Sequence, residues 1–374
     1  MAQSHQPYAG GSVEERDAVA PMRDYGFFAP DSVARRVWSY PTSMLLGFSR
    51  AVTIEHLDPD LAAAVIQSGQ VKQRTPLRFD RTMQYFATIL YGDAESVLKS
   101  SDILMKIHQR ATGVDPVTGR TFAANNPDSQ LWIHLTAWHS ILITYEMFGP
   151  GRLSAEDEAT YWEECVTAAK FQTIDTDTMP RTREDVAAYF DDFRKNMVAS
   201  DGMLDMFDFL VNMQLSSLPD EVPAPIRKAL NALTSRAVVA TMPKWMREMG
   251  GVPQSAAVDV ATIAALKPVL LAISKSNRIM LPLLRVLTPR TYPILAPFFL
   301  GIAPENPHVY DEDEARAAFG YPDKPRAILE RQVAAREAGE APAPYEHDHH
   351  DDLLAFATAG EDGGLLENAD HGGH

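Results

Sequence analysis

The stretch RFDRTMQYFATILYGDAESVLKSSDILMKIHQRATG, from Arg78 to Gly113, reads as two consecutive helices, the second ending on His108 before a glycine stop. Arg78, Arg81, Thr82 and Tyr85 stand at i, i+3, i+4 and i+7, so the helical period places them on one face. The same helix is otherwise rich in Met83, Phe86, Ile89 and Leu90. A cationic, hydroxyl-bearing stripe on such a helix is not an ordinary solvent face, and it points to an anionic group held against it. His108 lies between Ile107 and Gln109, four residues after Leu104, which suits a ligand projecting from a partly apolar wall. Each feature also has a plainer reading. Arg78 and Arg81 could pair with Asp80 or Asp93, and a lone helical histidine is most often a hydrogen-bonded core residue.

The chain around this stretch continues in helical periods. Val37, Met44, Leu45, Phe48 and Val52 recur at helical spacing, with Pro41 breaking or kinking the run. Asp58 is placed to cap a short helix that stops at Gly69. A Pro/Gly/Asn-rich loop after Gly113 leads to QLWIHLTAWHSILITYEMFG, capped by Asp128 or Ser129 and apolar nearly all round, as befits the centre of a bundle. Ser154 and Thr182 open two further helices, acidic residues following Ser154 at the positive end of its helix dipole. Later helices are expected near 203–215, 224–249, 255–275 and 277–287. Strand signals are scarce, and the fold class is all-α. Residues 1–28 read as an N-terminal arm, 29–341 as one helical domain, and 342–374 as an acidic, His-containing, disordered tail.

Composition narrows the functions. A hydrophobic fraction of 45% with 22% charged residues supports a sizeable core. The net charge of −16 leaves no basic stripe for nucleic acid. The single cysteine, Cys165, excludes an intramolecular disulfide, a Cys-based zinc site, an iron–sulfur cluster held by this chain alone and a covalently attached haem. It reads as a small buried helix residue. The N-terminus shows no signal-peptide pattern, so the expected compartment is the cytoplasm. No apolar run reaches membrane-spanning length, the nearest being Thr291–Pro304 with its three prolines. Leu266–Gly301 mixes bulky apolar residues with Lys and Arg, and reads either as a helical layer over the core or as a segment lying on a membrane interface.

Common catalytic signatures are absent: no P-loop, GxGxxG, GxSxG or HExxH. His134 and His139, at i, i+5, share no helical face well enough for a joint metal site. The order of segments is more telling: RxxRTxxY…YGD, a helix ending IHxxxxG, then NPDSQLWIHLTAWHS, LSAEDEATYWEE and LTSRAVVATMPKWMREMGG. Over roughly residues 35–250 it resembles the oxygenase family of the fungal MpaB protein and the bacterial latex-clearing protein, or rubber oxygenase.

The resemblance implies a globin-like helical core with additional helices, a non-covalent haem b, and O2 as co-substrate in cleaving carbon–carbon double bonds of an apolar isoprenoid. It makes His108 the proximal iron ligand. Arg78 and Thr82 match the family's arginine and threonine close to the haem, and Arg81 stands where the latex-clearing protein has a lysine able to approach the distal face. Arg81 and Thr82 are then the catalytic candidates, while His108, Arg78, Arg81, Thr82 and Tyr85 hold the cofactor. His134 could fill a second axial position if the protein binds or senses haem without turning it over. A haem peroxidase or monooxygenase is a further alternative on the same site. The partners implied are an apolar small molecule, an electron donor the sequence does not name, and a membrane surface met peripherally. Two departures stand out. Ala111 replaces the usual valine of H-x-x-V-x-G, and Leu57-Asp58-Pro59 replaces a common AHP, with His56 beside it. Glu55 is the nearest upstream acid and a candidate base.

Overall fold

In the computed structural model, which describes residues 16–68, 75–115, 118–212 and 222–340, the chain is all-α. Caps and prolines divide it into elements. Ser32 opens α1 (Val33–Trp38) by accepting from Arg35 N at 3.2 Å. The chain re-enters a helix at Pro41, widens to a π-turn over Ser43–Gly47 and continues as α2 (Phe48–Glu55). After α3 (Pro59–Ser68) come the two helices expected from the Arg78–Gly113 stretch, α4 (Thr75–Tyr91) and α5 (Ala94–His108), the second capped where Asp93 accepts from Ser96 N at 2.9 Å.

The loop expected after His108 contains a small antiparallel hairpin, β1 (Thr112–Val114) and β2 (Thr121–Ala123), with Gly113 opposite Phe122. Pairs so short carry no alternating pattern to read. Helix α6 (Pro127–Phe148) starts two to three residues earlier than expected, because Asn126 is the cap. Its side chain accepts from Asp128 N at 2.8 Å and Ser129 N at 3.2 Å, and Pro127, which lacks an N–H, suits the first helical position. Helices α7 (Ala155–Ala169) and α8 (Arg183–Phe193) begin at the expected caps Ser154 and Thr182. Then follow α9 (Asp201–Asn212) and α10 (Ala224–Ala240). The single helix expected over 224–249 is two, since Pro243 cannot continue the ladder and instead precedes α11 (Lys244–Met249). Five more complete the described chain: α12 (Ala256–Ile273), α13 (Asn277–Leu287), α14 (Tyr292–Leu300), α15 (Glu312–Phe319) and α16 (Pro325–Glu337).

Helix α6 is the axis of the core. Trp132, Leu135, Trp138, Ile141, Leu142 and Phe148 are fully buried, so apolar side chains leave it in every direction. The π-turn, α1, α2, α7 and α12 cover those directions. Trp138 meets Trp38 edge-on at 5.4 Å between centroids, and Trp38 stacks on Phe86 of α4 at 5.3 Å, which ties the axis to the helix that carries Arg78. From Asp24 the chain is packed rather than standing off as an arm: Phe27 and Phe28 are buried, and Asp24 accepts from Ala94 N at 2.8 Å at the start of α5. The expected acidic tail, 342–374, lies outside the described residues.

Thr291–Pro304 forms α14, whose Leu295, Ala296, Phe299 and Leu300 are buried. Among the described residues the helix long and apolar enough by length and composition to cross a membrane is instead α12, 18 residues, which corrects the reading that no segment reaches that length. Asp259 and Lys267 interrupt its apolar run in sequence without making the helix polar.

Gly47 is what lets the π-turn lie against α6. A Cβ there would meet Thr144 Oγ1 at 2.7 Å and Ile141 Cδ1 at 2.8 Å. Gly47→Ala is therefore expected to destabilise the fold by about 1–3 kcal/mol through overpacking, read from the urea unfolding midpoint. An unchanged midpoint would show that the contact can relax.

Candidate active site

Between α2, α3, α4, α5, α6 and the hairpin lies a mostly apolar cavity of about 220 Å³. Each wall follows from local helix geometry. Helix α4 presents Arg78, Phe79, Thr82, Tyr85 and Phe86; α5 ends on Leu104 and His108; α2 ends on Val52, Glu55 and His56; α6 contributes Gln130 and Ile133. The face inferred for α4 is thus largely the face that lines the cavity, yet Arg81 is half-buried and not among the lining residues. A helix turns about 100° per residue, so Arg81, three after Arg78, drifts off the line that Arg78, Thr82 and Tyr85 keep.

His134 is also elsewhere. It sits one residue past Ile133, turned away from the cavity, and its Nε2 is 2.9 Å from the Cys165 carbonyl in the core. His139 packs beside Arg50, its Nδ1 3.5 Å from Arg50 Nη1. Cys165 is buried, as expected, and burial pushes its thiol well above the usual range. Among the described residues no group of three or more His, Cys, Asp or Glu is placed to hold a bare metal ion.

The electrostatics of the cavity centre on Arg78. Burial lowers its guanidinium to about 10, which still leaves it charged at neutral pH. Its Nη1 is buried without a hydrogen-bond partner. The nearby acids are engaged elsewhere: Asp80 accepts from Arg290 N at 2.8 Å and Thr291 Oγ1 at 2.8 Å, Asp93 caps α5, and Asp60, on the cavity wall, pairs with Arg120 at 3.0 Å. Glu55 offers no counter-charge, because burial raises its carboxyl to about 8. Desolvation holds both His56 and His108 down at about 4, so both imidazoles are neutral at pH 7. The cavity therefore carries one buried positive charge with orphaned hydrogen-bonding capacity, an arrangement that calls for an anion.

His108 is held from two sides. Gln130 Nε2 lies 3.0 Å from His108 Nδ1 and 2.5 Å from the Ala124 carbonyl, so its two amide protons can serve both. The Ala124 carbonyl and the Asn125 side-chain oxygen also lie where a ring N–H can reach them. Asn125 Nδ2 donates to Met105 O and to Gln332 Oε1, each at 2.9 Å. With both amide protons engaged, its oxygen, which accepts no hydrogen bond of its own, is fixed as an acceptor. Gln332 comes from α16, more than two hundred residues along the chain. His56 is locked differently: its Nδ1 lies 2.6 Å from the Val52 carbonyl, which assigns the proton to Nδ1 and leaves Nε2 a buried lone pair with no partner. Thr82 gives its hydroxyl proton to the Arg78 carbonyl at 3.0 Å and so presents lone pairs, not a donor, to the cavity. Tyr85 Oη donates to the Phe171 carbonyl at 3.3 Å.

Gln130, Asn125, Gln172 and Gln332 were not legible as site residues. Neutral amides carry no motif, and only their hydrogen-bond partners reveal them. His56, which the sequence sets beside the missing AHP histidine, lines the cavity.

Replacing Gln332 by Leu is expected to cost about 1 kcal/mol of stability and to move the His108 ring 15N and 1H resonances. Gln332→Glu, which keeps the acceptor for Asn125 Nδ2, should restore them. A His108 spectrum indifferent to both would make the α16 brace irrelevant to the site. Glu55 yields a pH test. A carboxyl raised from 4.5 to about 8 on folding leaves stability intact below 4.5 and erodes it as pH rises through 8. Glu55→Gln should therefore gain stability over wild type progressively between those pH values. A gain that is flat with pH would mean that Glu55 is not buried as a neutral acid.

Comparison with curated proteins and with solved structures returns no match. Residues 35–272 match the family described as ER-bound oxygenase mpaB/B'/Rubber oxygenase, catalytic domain. The match takes in every cavity residue named above from α2, α4, α5 and α6, and it stops short of α16 and Gln332. Covering more than half of a 374-residue chain, it shows that the protein belongs to the mpaB/rubber oxygenase family.

Proposed function

We propose that this protein is a haem-b-dependent oxygenase that uses O2 to oxidise or cleave an apolar, isoprenoid- or lipid-like substrate. The observation that carries the reading is Arg78, a buried guanidinium with an unpartnered Nη1 on the wall of the cavity that His108 also lines. The residues present fit a haem. A propionate is the anion Arg78 lacks, and charge-assisted pairing would return the cost of burying the cation. His108, neutral down to about pH 4, offers an imidazole that needs no deprotonation to bind iron. Ligation would take one ring nitrogen and leave the proton on the other, where the Ala124 carbonyl or the Asn125 side chain can accept it and fix the tautomer. The bound haem iron would supply the activation of dioxygen that no amino-acid side chain provides.

The chain's own residues then divide the remaining work. Glu55 is protonated at neutral pH and holds a proton in the cavity, as a group that must donate or exchange one during turnover should. His56 Nε2 is an acceptor on the same wall. Thr82, with its proton committed to Arg78, orients a donor by accepting from it. Phe79, Phe86, Leu104 and Ile133 exclude water and suit an apolar chain. The electrostatic role that the resemblance implies for Arg81 falls more naturally to Arg78, which lines the cavity.

One observation favours a second reading, a haem-binding or sensing protein with both axial positions filled. The histidine available for it is His56, whose unpartnered Nε2 shares the cavity with His108, rather than His134.

Hemin titration of the purified protein separates these. Wild type is expected to take up one equivalent with a Soret band that, after reduction, shifts with CO. His108→Ala should change that spectrum, and Arg78→Leu should weaken hemin binding by roughly tenfold to a hundredfold through loss of one charge-assisted pair. Full haem content with an unchanged spectrum in His108→Ala would remove the ligand assignment. A reduced, six-coordinate species indifferent to CO, and made CO-responsive by His56→Ala, would establish the second reading instead.

A further inference from the structure

Helix α12 is built the wrong way for the surface of a water-soluble domain. Its 18 residues bury only Thr262, Leu266 and Leu270, a single stripe at i, i+4 and i+8 packed towards α10 and α6. The faces left over are not polar. Val260 is 67% exposed, Val269 51% and Leu271 40%. The adjacent α13 continues the pattern, with Ile279 48% and Val286 45% exposed beside Arg278 and Arg285, also exposed. A surface helix ordinarily turns its charges outward and its aliphatics inward. Here both helices keep aliphatic side chains in water, which marks an interaction surface.

The charge around that surface says what it meets. The chain as a whole carries −16, yet from Val260 to Pro304 there are five Lys and Arg and no Asp or Glu. Lys275, Arg278 and Arg285 are exposed in the same region as the aliphatics. Aliphatic side chains among cationic ones, on a protein otherwise strongly acidic, match a bilayer with anionic headgroups: the aliphatics enter the acyl boundary while the cations reach the phosphates above it.

We propose that the outer faces of α12 and α13 dock this protein on an anionic lipid surface, with α12 lying in the membrane plane rather than spanning it. Spanning is long enough in residues but would break contacts the helix makes. The Thr262/Leu266/Leu270 stripe would leave the bundle, Lys267 Nζ would lose the Met147 carbonyl at 3.4 Å, and Asp259 would lose Arg247, an ion pair of 2.8 Å with both partners mostly buried. Docking in the plane keeps all three and covers only what is now exposed. The surface stands apart from the cavity and does not depend on what the cavity binds.

Cosedimentation of the full-length chain with vesicles tests this, comparing phosphatidylcholine alone with a mixture of phosphatidylcholine and phosphatidylserine. The expected result is binding to the anionic vesicles that weakens with salt and is fully released by alkaline carbonate. Val260→Ser, Val269→Ser, Ile279→Ser and Val286→Ser together should lower it by about tenfold or more, because these side chains carry the transfer to hydrocarbon. Lys275→Glu, Arg278→Glu and Arg285→Glu together should abolish the preference for phosphatidylserine, with circular dichroism unchanged in both variants. Failure to bind either vesicle, or binding indifferent to both sets of substitutions, overturns the proposal. Retention after carbonate overturns it in favour of a spanning helix. Binding that appears only once residues 341–374 are removed overturns it in favour of the acidic tail as occupant, and a serine-sensitive dimer in sedimentation velocity, without vesicle binding, in favour of a second copy.

Discussion

An apolar helix with no polar face has to be covered on every side, and α6 imposes that requirement on the whole molecule. Trp132, Trp138, Ile141, Leu142 and Phe148 leave it in different directions, and each direction is closed by another element. The hydrophobic effect sets the demand, while close packing decides how it is met. Gly47 shows the second part. A π-turn is a costly local conformation, yet it brings the chain within van der Waals range of Ile141 and Thr144 at a residue that has no Cβ to obstruct it.

The cavity is the place where that packing is withheld. Tyr85 and Phe86 belong to the buried core, but one and two turns earlier α4 carries Thr82 and Arg78, whose side chains do not fill the space between α2, α5 and the hairpin. A guanidinium buried without a carboxylate is unfavourable by itself. It persists because the helices around it are held by unrelated contacts: Asp80 to Thr291 on one side, the Trp38–Phe86 stack on the other. The neutral states of Glu55, His56 and His108 share one cause, desolvation, and the same desolvation makes an incoming anion bind strongly. The contacts that hold the helices are thus largely separate from the groups that set the site's charge.

Two regions outside the cavity bear on it in different ways. Helix α16 lies beyond the family-matched residues and still reaches the His108 environment through Gln332 and Asn125. Oriented amides tune an imidazole through its second nitrogen, so the C-terminal helices act on the site without lining it. Helices α12 and α13 lie farther off and leave Val260, Val269, Ile279 and Val286 in water.

Local signals in the sequence were enough for most of the helices up to Leu287, though not for the break before Pro243. Ser154, Thr182 and the alternation around Arg78–Gly113 are short-range: a cap needs an acceptor and an N–H three residues away, and a helical face needs only a period. The same periodicity brought Arg78, Thr82 and Tyr85 to one wall and His108 to a helix end, and segment order pointed to the oxygenase family. What it could not resolve were matters of angle and of distance along the chain. Arg81 and His134 fall off the cavity by a fraction of a helical turn, and the Asn125–Gln332 pair joins residues that no pattern connects. Sequence by itself determined which helices form and which chemistry they carry, because both are local. Only the tertiary structure decided which side chains face a common space, which lose their counter-ions and which are left in water, because these depend on what is packed against them.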